Sequence, residues 1–217
     1  MDKSDTALKA SVLAELTWDP AVKETAVGVA VKGGVVTLTG HLETYAEKEA
    51  ALRAVRRVSG VRAIAVEIDV KLSPDHVRGD TDIAASIELG LRWHTSIPVD
   101  AVRVQVEHGW VTLQGEVEWD FQRRSAESQV RVLKGVVGIS NEIKLRPKPQ
   151  VADLSRRIEE ALRRQALRDA QRIHISLDGS TVKLTGQVHS WQERQAAQGV
   201  AWSAPGVRAV INELEVA

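Results

Sequence analysis

The sequence predicts an α+β fold made three times over: tandem αββαβ units, each a small three-stranded mixed sheet with two helices packed on one face. Three spacings carry this. Val36-Thr-Leu-Thr-Gly40, Val111-Thr-Leu-Gln-Gly115 and Val182-Lys-Leu-Thr-Gly186 share the pattern Val-x-Leu-x-Gly. Twenty residues after each glycine comes a Gly-Val pair, at Gly60-Val61, Gly135-Val136 and Gly206-Val207. Leu8, Ile83 and Leu154 stand 32 residues before the same glycines, and Leu16, Leu91 and Leu162 stand 24 before. A period of 71 to 75 residues is too long for a solenoid repeat and reads as small domains in series, with expected limits 3–72, 79–146 and 151–217.

Each unit opens with a helix, because Leu8, Val12, Leu13 and Leu16 recur at helical spacing, as do Ile83, Ile87 and Leu91, then Leu154, Ile158 and Leu162. Asp5 and Asp80 sit just ahead of the first two helices, where a carboxylate can accept orphan backbone N–H groups. The third unit has Val151 there, with Asp153 as the alternative cap. Strict alternation follows in Val27–Val31, Val102–Val106 and Ile173–Leu177, which puts one face of a strand on a core. Gly33-Gly34, His108-Gly109 and Asp178-Gly179 supply the positive φ of a tight hairpin turn into the Val-x-Leu-x-Gly strand.

Thr44-x-x-Glu47 and Ser190-x-x-Glu193 are capping boxes that start a second helix, and Gly60, Gly135 and Gly206 are expected to end it. A last strand closes each unit, and a right-handed crossover makes it parallel to the second strand. The connectors Ser73–Gly79 and Arg146–Gln150 are short and proline-bearing. A unit of about 70 residues buries only about 60% of its unfolded surface, so the units are expected to support one another by packing.

Lys+Arg and Asp+Glu are both 29, so no basic excess marks a general nucleic-acid binder. There is no cysteine, which removes disulfides, thiolate catalysis and thiolate metal sites. The histidines at 41, 76, 94, 108, 174 and 189 form no metal-ligand spacing. No nucleophile elbow and no phosphate loop is present, and Glu116 and Glu118 read as a solvated strand edge. The chain therefore reads as non-enzymatic, with no cofactor and no metal. The arginine-rich helix of the third unit (Arg156, Arg157, Arg163, Arg164, Arg168, Arg172) interleaves with Asp153, Glu159, Glu160 and Asp169, the pattern of a salt-bridged exposed helix. The start Met1-Asp-Lys-Ser-Asp leads into no apolar signal region, and no run approaches the ~20 apolar residues of a membrane span. As written the chain reads as soluble and cytoplasmic, or periplasmic if a leader has been removed.

An alanine eleven residues past each strand-end glycine (Ala51, Ala126, Ala197) and a final strand containing Asn141-Glu-Ile or Asn212-Glu-Leu complete a pattern that resembles the BON domain, a bacterial module named from osmotically inducible and nodulation proteins. The resemblance covers nearly the whole chain three times, and the first unit departs from it at Val66. It implies a non-catalytic module that binds phospholipid or the cell envelope, often in periplasmic proteins linked to osmotic or general stress. The residues alone leave open a soluble scaffold whose three modules dock a protein partner or each other.

Six Trp against one Tyr and one Phe is the unusual feature, since tryptophan suits a boundary between apolar and polar surroundings. Trp18 and Trp93 occupy equivalent places at the end of the first helix, and Tyr45 matches Trp191. Trp202 takes the place of Arg56 and Arg131, an outward position where it is exposed or packed on a neighbouring unit. Trp110 and Trp119 fall at opposite ends of one strand. Trp93, Trp119 and Phe121 are thus expected to gather at one end of the middle unit, where they either seal the end of its small core or form the lipid- or partner-binding site.

Overall fold

The computed structural model describes residues 4–146, 154–164 and 172–216. Val151 and Asp153, the connector from 147 to 150, and Arg168 and Asp169 lie outside the described residues. The first unit is α1 (Asp5–Trp18), β1 (Val27–Lys32), β2 (Val35–Leu42), α2 (Tyr45–Arg57) and β3 (Ala63–Val70). The second is α3 (Asp80–Trp93), β4 (Val102–Glu107), β5 (Trp110–Val117), α4 (Asp120–Arg131) and β6 (Gly138–Leu145). The third is α5 (Leu154–Arg164), β7 (Ile173–Asp178), β8 (Thr181–Val188), α6 (Trp191–Ser203) and β9 (Ala209–Val216).

Each unit has its own three-stranded sheet with the second strand in the middle. The hairpin pair is antiparallel and the crossover pair parallel in all three. This is the mixed α+β architecture that the spacings predict. Register explains why Val-x-Leu recurs. Val36 and Leu38, Val111 and Leu113, and Val182 and Leu184 point to the helices and are fully buried. They meet Leu8, Val12 and Leu16, then Ile83, Ile87 and Leu91, then Leu154, Ile158 and Leu162, in three separate cores. Leu13 departs from this and lies 41% exposed, because it is one position off the buried stripe.

The glycine that ends the motif has a steric cause. Gly115 sits at φ 141°, and a β-carbon there would collide with the carbonyl oxygen of Ala101, as one at Gly40 would with that of Ala26. The backbones of the first two strands approach too closely for any side chain.

Three local expectations are corrected. Asp5 and Asp80 are the first residues of their helices rather than caps, behind Ser4 and Gly79. Their carboxylates reach across to the hairpin turn instead. Asp5 accepts from the N–H groups of Gly33 and Gly34 at 2.7 and 3.0 Å, and Asp80 from those of His108 and Gly109 at 2.8 and 2.9 Å. A two-residue turn with positive φ at both positions aims consecutive N–H groups outward as a small anion nest. The third turn is Gly179-Ser180 rather than Asp178-Gly179, since Asp178 still pairs with Thr181. The second helices stop at Arg57, Arg131 and Ser203, so the positive-φ glycines at 60, 135 and 206 shape the turn after the cap rather than the helix end itself.

Candidate functional site

Capping chemistry fixes where each second helix begins. Thr44 Oγ1 accepts from Glu47 N–H at 3.1 Å while the Glu47 carboxylate accepts from Thr44 N–H at 3.2 Å. Ser190 Oγ accepts from Glu193 N–H at 3.1 Å. Trp119 stands at the same position in the middle unit and has no acceptor. There the Gln122 side-chain oxygen takes the N–H groups of Glu118 and Trp119 at 3.0 and 3.1 Å. Gln122 Nε2 then donates to Ser96 O at 2.9 Å, tying the start of α4 to the loop that leaves α3. Trp93, the last residue of α3, lies three residues before Ser96.

The three proposed site residues differ in environment. Trp93 is 79% exposed and Phe121 48% exposed, whereas Trp119 is half-buried. Trp119 lines a cleft together with Asp120 and with Trp202, Gly206 and Val207 of the third unit. Trp18, the counterpart of Trp93, is 83% exposed. Trp110, at the other end of β5, lies across Gly138, where a β-carbon would collide with its ring. Its indole N–H donates to Ser140 Oγ at 2.9 Å.

Among the described residues, the cleft at Trp119 is one of three contacts between units, all built at one register. Tyr45, Asp120 and Trp191 each stand five residues past the strand-end glycine. Tyr45 packs against the core of the second unit, where burial first and Glu49 second push its phenol up to about 12. Glu49 on the same helix faces Arg131 of the second unit at 4.0 Å. Asp120 is 2% exposed and holds Arg123 and, at 2.8 Å, Arg124 Nε. Arg123 then lies over the ring of Trp202 in the third unit, 4.6 Å from its centre, a cation–π contact. Trp191 packs on the core of the first unit, and its indole N–H donates to Val61 O at 2.8 Å. First to second, second to third and third to first, the start of each second helix docks on the next unit, and the cycle closes.

Sequence spacing placed Tyr45 and Trp191 at one position and Trp202 on an outward face. It missed Asp120 and Arg123, although a carboxylate where the other units carry an aromatic ring is a visible departure. The cation eight residues past the glycine shows the same divergence. Lys48 Nζ donates to Ile68 O at 2.8 Å and Arg194 Nε to Leu214 O at 3.0 Å, each within its own unit, while Arg123 turns to Asp120 and Trp202. Burial lowers the pKa of Arg194, whose guanidinium also faces the Trp191 ring at 5.0 Å.

Among the described residues no group of three His, Asp or Glu side chains is placed to share a metal ion, and no helix is long and apolar enough to cross a membrane.

Comparison with known proteins agrees with the repeat. The BON domain matches residues 4–71, 79–147 and 150–217. Osmotically-inducible protein Y of Escherichia coli (strain K12) is 30% identical over 144 residues, covering 64% of this chain and 72% of that protein. Among solved structures, the C-terminal domain of CdsD, a structural protein of the type III secretion system of Chlamydia trachomatis, aligns at 14% identity over 100% of both chains with a TM-score of 0.27, too low to add to the assignment. With three matches in register along nearly all its length, the chain belongs to the BON domain family.

Proposed function

We propose that this is a non-catalytic binding protein of the bacterial stress response that associates with the cell envelope by docking on phospholipid. The family membership and the osmotically inducible relative support the stress and envelope parts of the reading. The observation that carries the lipid part is the exposure of Trp18 and Trp93, 83% and 79%, at the same position of two units. A solvated indole is costly in water and favourable at a headgroup boundary. Phe121 and the open edge of Trp119 extend the surface in the middle unit.

The test is co-sedimentation of the purified protein with anionic and zwitterionic liposomes. Wild type pellets with vesicles, and Trp93→Ser combined with Phe121→Ser removes most of that binding while leaving the melting temperature unchanged. Failure of wild type to pellet with either lipid overturns the reading. It would favour the second one, a soluble scaffold for a protein partner, which draws support from the readiness of these units to dock on each other.

A further inference from the structure

The open face of the middle sheet carries one aromatic ring laid flat. Val111 and Leu113 turn to the helices, so Trp110, Thr112 and Gln114 of β5 turn the other way, toward solvent. Trp110 lies across Gly138, its register partner on β6, and the bond from its indole N–H to Ser140 Oγ at 2.9 Å fixes the ring along that strand. One face of the indole therefore rests on β6 while the residue stays 50% exposed. The other two units carry Val35 and Thr181 at this position, paired with Ala63 and Ala209. A β-carbon at 138 would collide with the benzo half of the indole, so the ring and the room for it occur together.

Polar groups surround this ring. The next row of the sheet pairs Gln105 with Thr112 and Thr112 with Ser140, and the row after it pairs Gln114 with Glu142. Gln114 Nε2 donates to Glu142 Oε2 at 2.8 Å, which orders both side chains and leaves the amide oxygen and the second carboxylate oxygen to accept from a ligand. From Gly138 to Glu142 the face runs about 13 Å along β6. A lone apolar ring amid amides, hydroxyls and carboxylates matches a pyranose, whose flat side bears C–H groups and whose rim bears hydroxyls. Charge argues against other flat ligands. Glu107, Glu116 and Glu142 outnumber Arg103 and Lys144 on this face, so a polynucleotide stacking a base here would bring its phosphates to a net negative surface. A protein partner needs an apolar centre depleted of charge, which one ring among these side chains does not supply.

We propose that the open face of the middle sheet binds a neutral oligosaccharide of glucose-type, all-equatorial pyranose rings, with one ring stacked on Trp110 and a neighbouring ring hydrogen-bonded by the Gln114–Glu142 pair. The site lies on the side of the sheet away from α3 and α4, and it stands independently of the vesicle surface assigned to Trp93. One ligand per chain is expected, since Val35 and Thr181 offer no ring in the other two units.

Titration calorimetry of the full chain with cellotetraose tests it. Saturable binding at one site per chain is expected, with glucose weaker because a single ring cannot reach both Trp110 and the Gln114–Glu142 pair. Trp110→Ala weakens cellotetraose by about tenfold or more, the scale on which removal of one stacking ring is felt. Gly138→Ala installs the residue that the other two units carry in the same register, lifts the indole off β6 and weakens binding several-fold. Should the tryptophan variant not fold, the glycine variant decides alone. Trp93→Ser leaves cellotetraose binding unchanged even where vesicle binding is lost. A thymidylate tetramer, titrated alongside, separates sugar stacking from base stacking and is expected not to bind. Absence of saturable cellotetraose binding, equal binding of glucose, binding undiminished by Trp110→Ala or Gly138→Ala, or tighter binding of the thymidylate overturns the proposal.

Discussion

The indole N–H of Trp191 donates to the main-chain carbonyl of Val61 at 2.8 Å, across 130 residues of sequence. The carbonyl belongs to the turn after α2, so the third unit is latched to the first at a backbone group that no side-chain change in the first unit can remove. Trp191→Phe keeps most of the packing and loses the bond, with an expected cost of about 1 kcal/mol. Trp191→Ala also loses the buried ring face and costs more, toward the ~3–5 kcal/mol of a core tryptophan. Chemical denaturation read by far-UV circular dichroism checks both values, and in the alanine variant the transition is expected to broaden or split as the third unit melts away from the others.

Leu113 is fully buried at the centre of β5, with Leu38 and Leu184 at the same position of the other units. Leu113→Ala is expected to cost roughly 2–5 kcal/mol, a large part of what so small a unit possesses. Thermal melts report it, and a loss under ~1 kcal/mol would contradict the burial.

Asp5 gives a pH signature. The Gly33 N–H first and the Gly34 N–H second hold its carboxyl below the ordinary value of 3.8. A folded-state pKa below the unfolded one contributes stability that is fully present above the unfolded value and is lost as pH falls through the folded one. Wild type should therefore lose melting temperature between about pH 4 and the acid limit more steeply than Asp5→Asn. At neutral pH the Asn variant should be the less stable of the two. Parallel curves for the two proteins across this range would count against the turn contact.

The departure at Val66 is a place to gain stability. Asn141 donates to Arg123 O at 3.2 Å and accepts from Ile143 N–H at 3.3 Å. Asn212 repeats this with Arg194 O at 3.1 Å and Leu214 N–H at 3.2 Å. Val66 is 40% exposed in the same register and bridges nothing between β3 and α2. Val66→Asn supplies both bonds and should stabilise the protein by about 0.5–1.5 kcal/mol, read as a higher denaturation midpoint.

How much of this was legible depends on the range of the interaction. Val36 and Leu38 alternate because strands do, and Thr44 precedes Glu47 by three because a helix turn does, so spacing alone revealed the elements, their order and the buried faces. The carboxylate of Asp5 looked like a cap because helix starts attract acids. Its real partner is 28 residues away, and local spacing carries no sign of it. The docking of units was less visible still. Tyr45, Asp120 and Trp191 share a register but not a chemistry, and a repeat search discards the differences that hold the contacts. The expected grouping of Trp93, Trp119 and Phe121 treated all three as one surface, whereas Trp119 also borders the third unit through its cleft with Trp202.

The closed cycle of docking contacts also sets a number. A stacked array of repeats can lengthen by duplication, because its last member always leaves an open end for the next. Here each second-helix start and each receiving surface already has a mate within the chain, and a head-to-tail contact that closes admits only the copies its rotation allows. A fourth unit would find no vacancy without breaking one of the contacts at Tyr45, Asp120 or Trp191. The three units therefore close on one another as a ring rather than standing as an open stack.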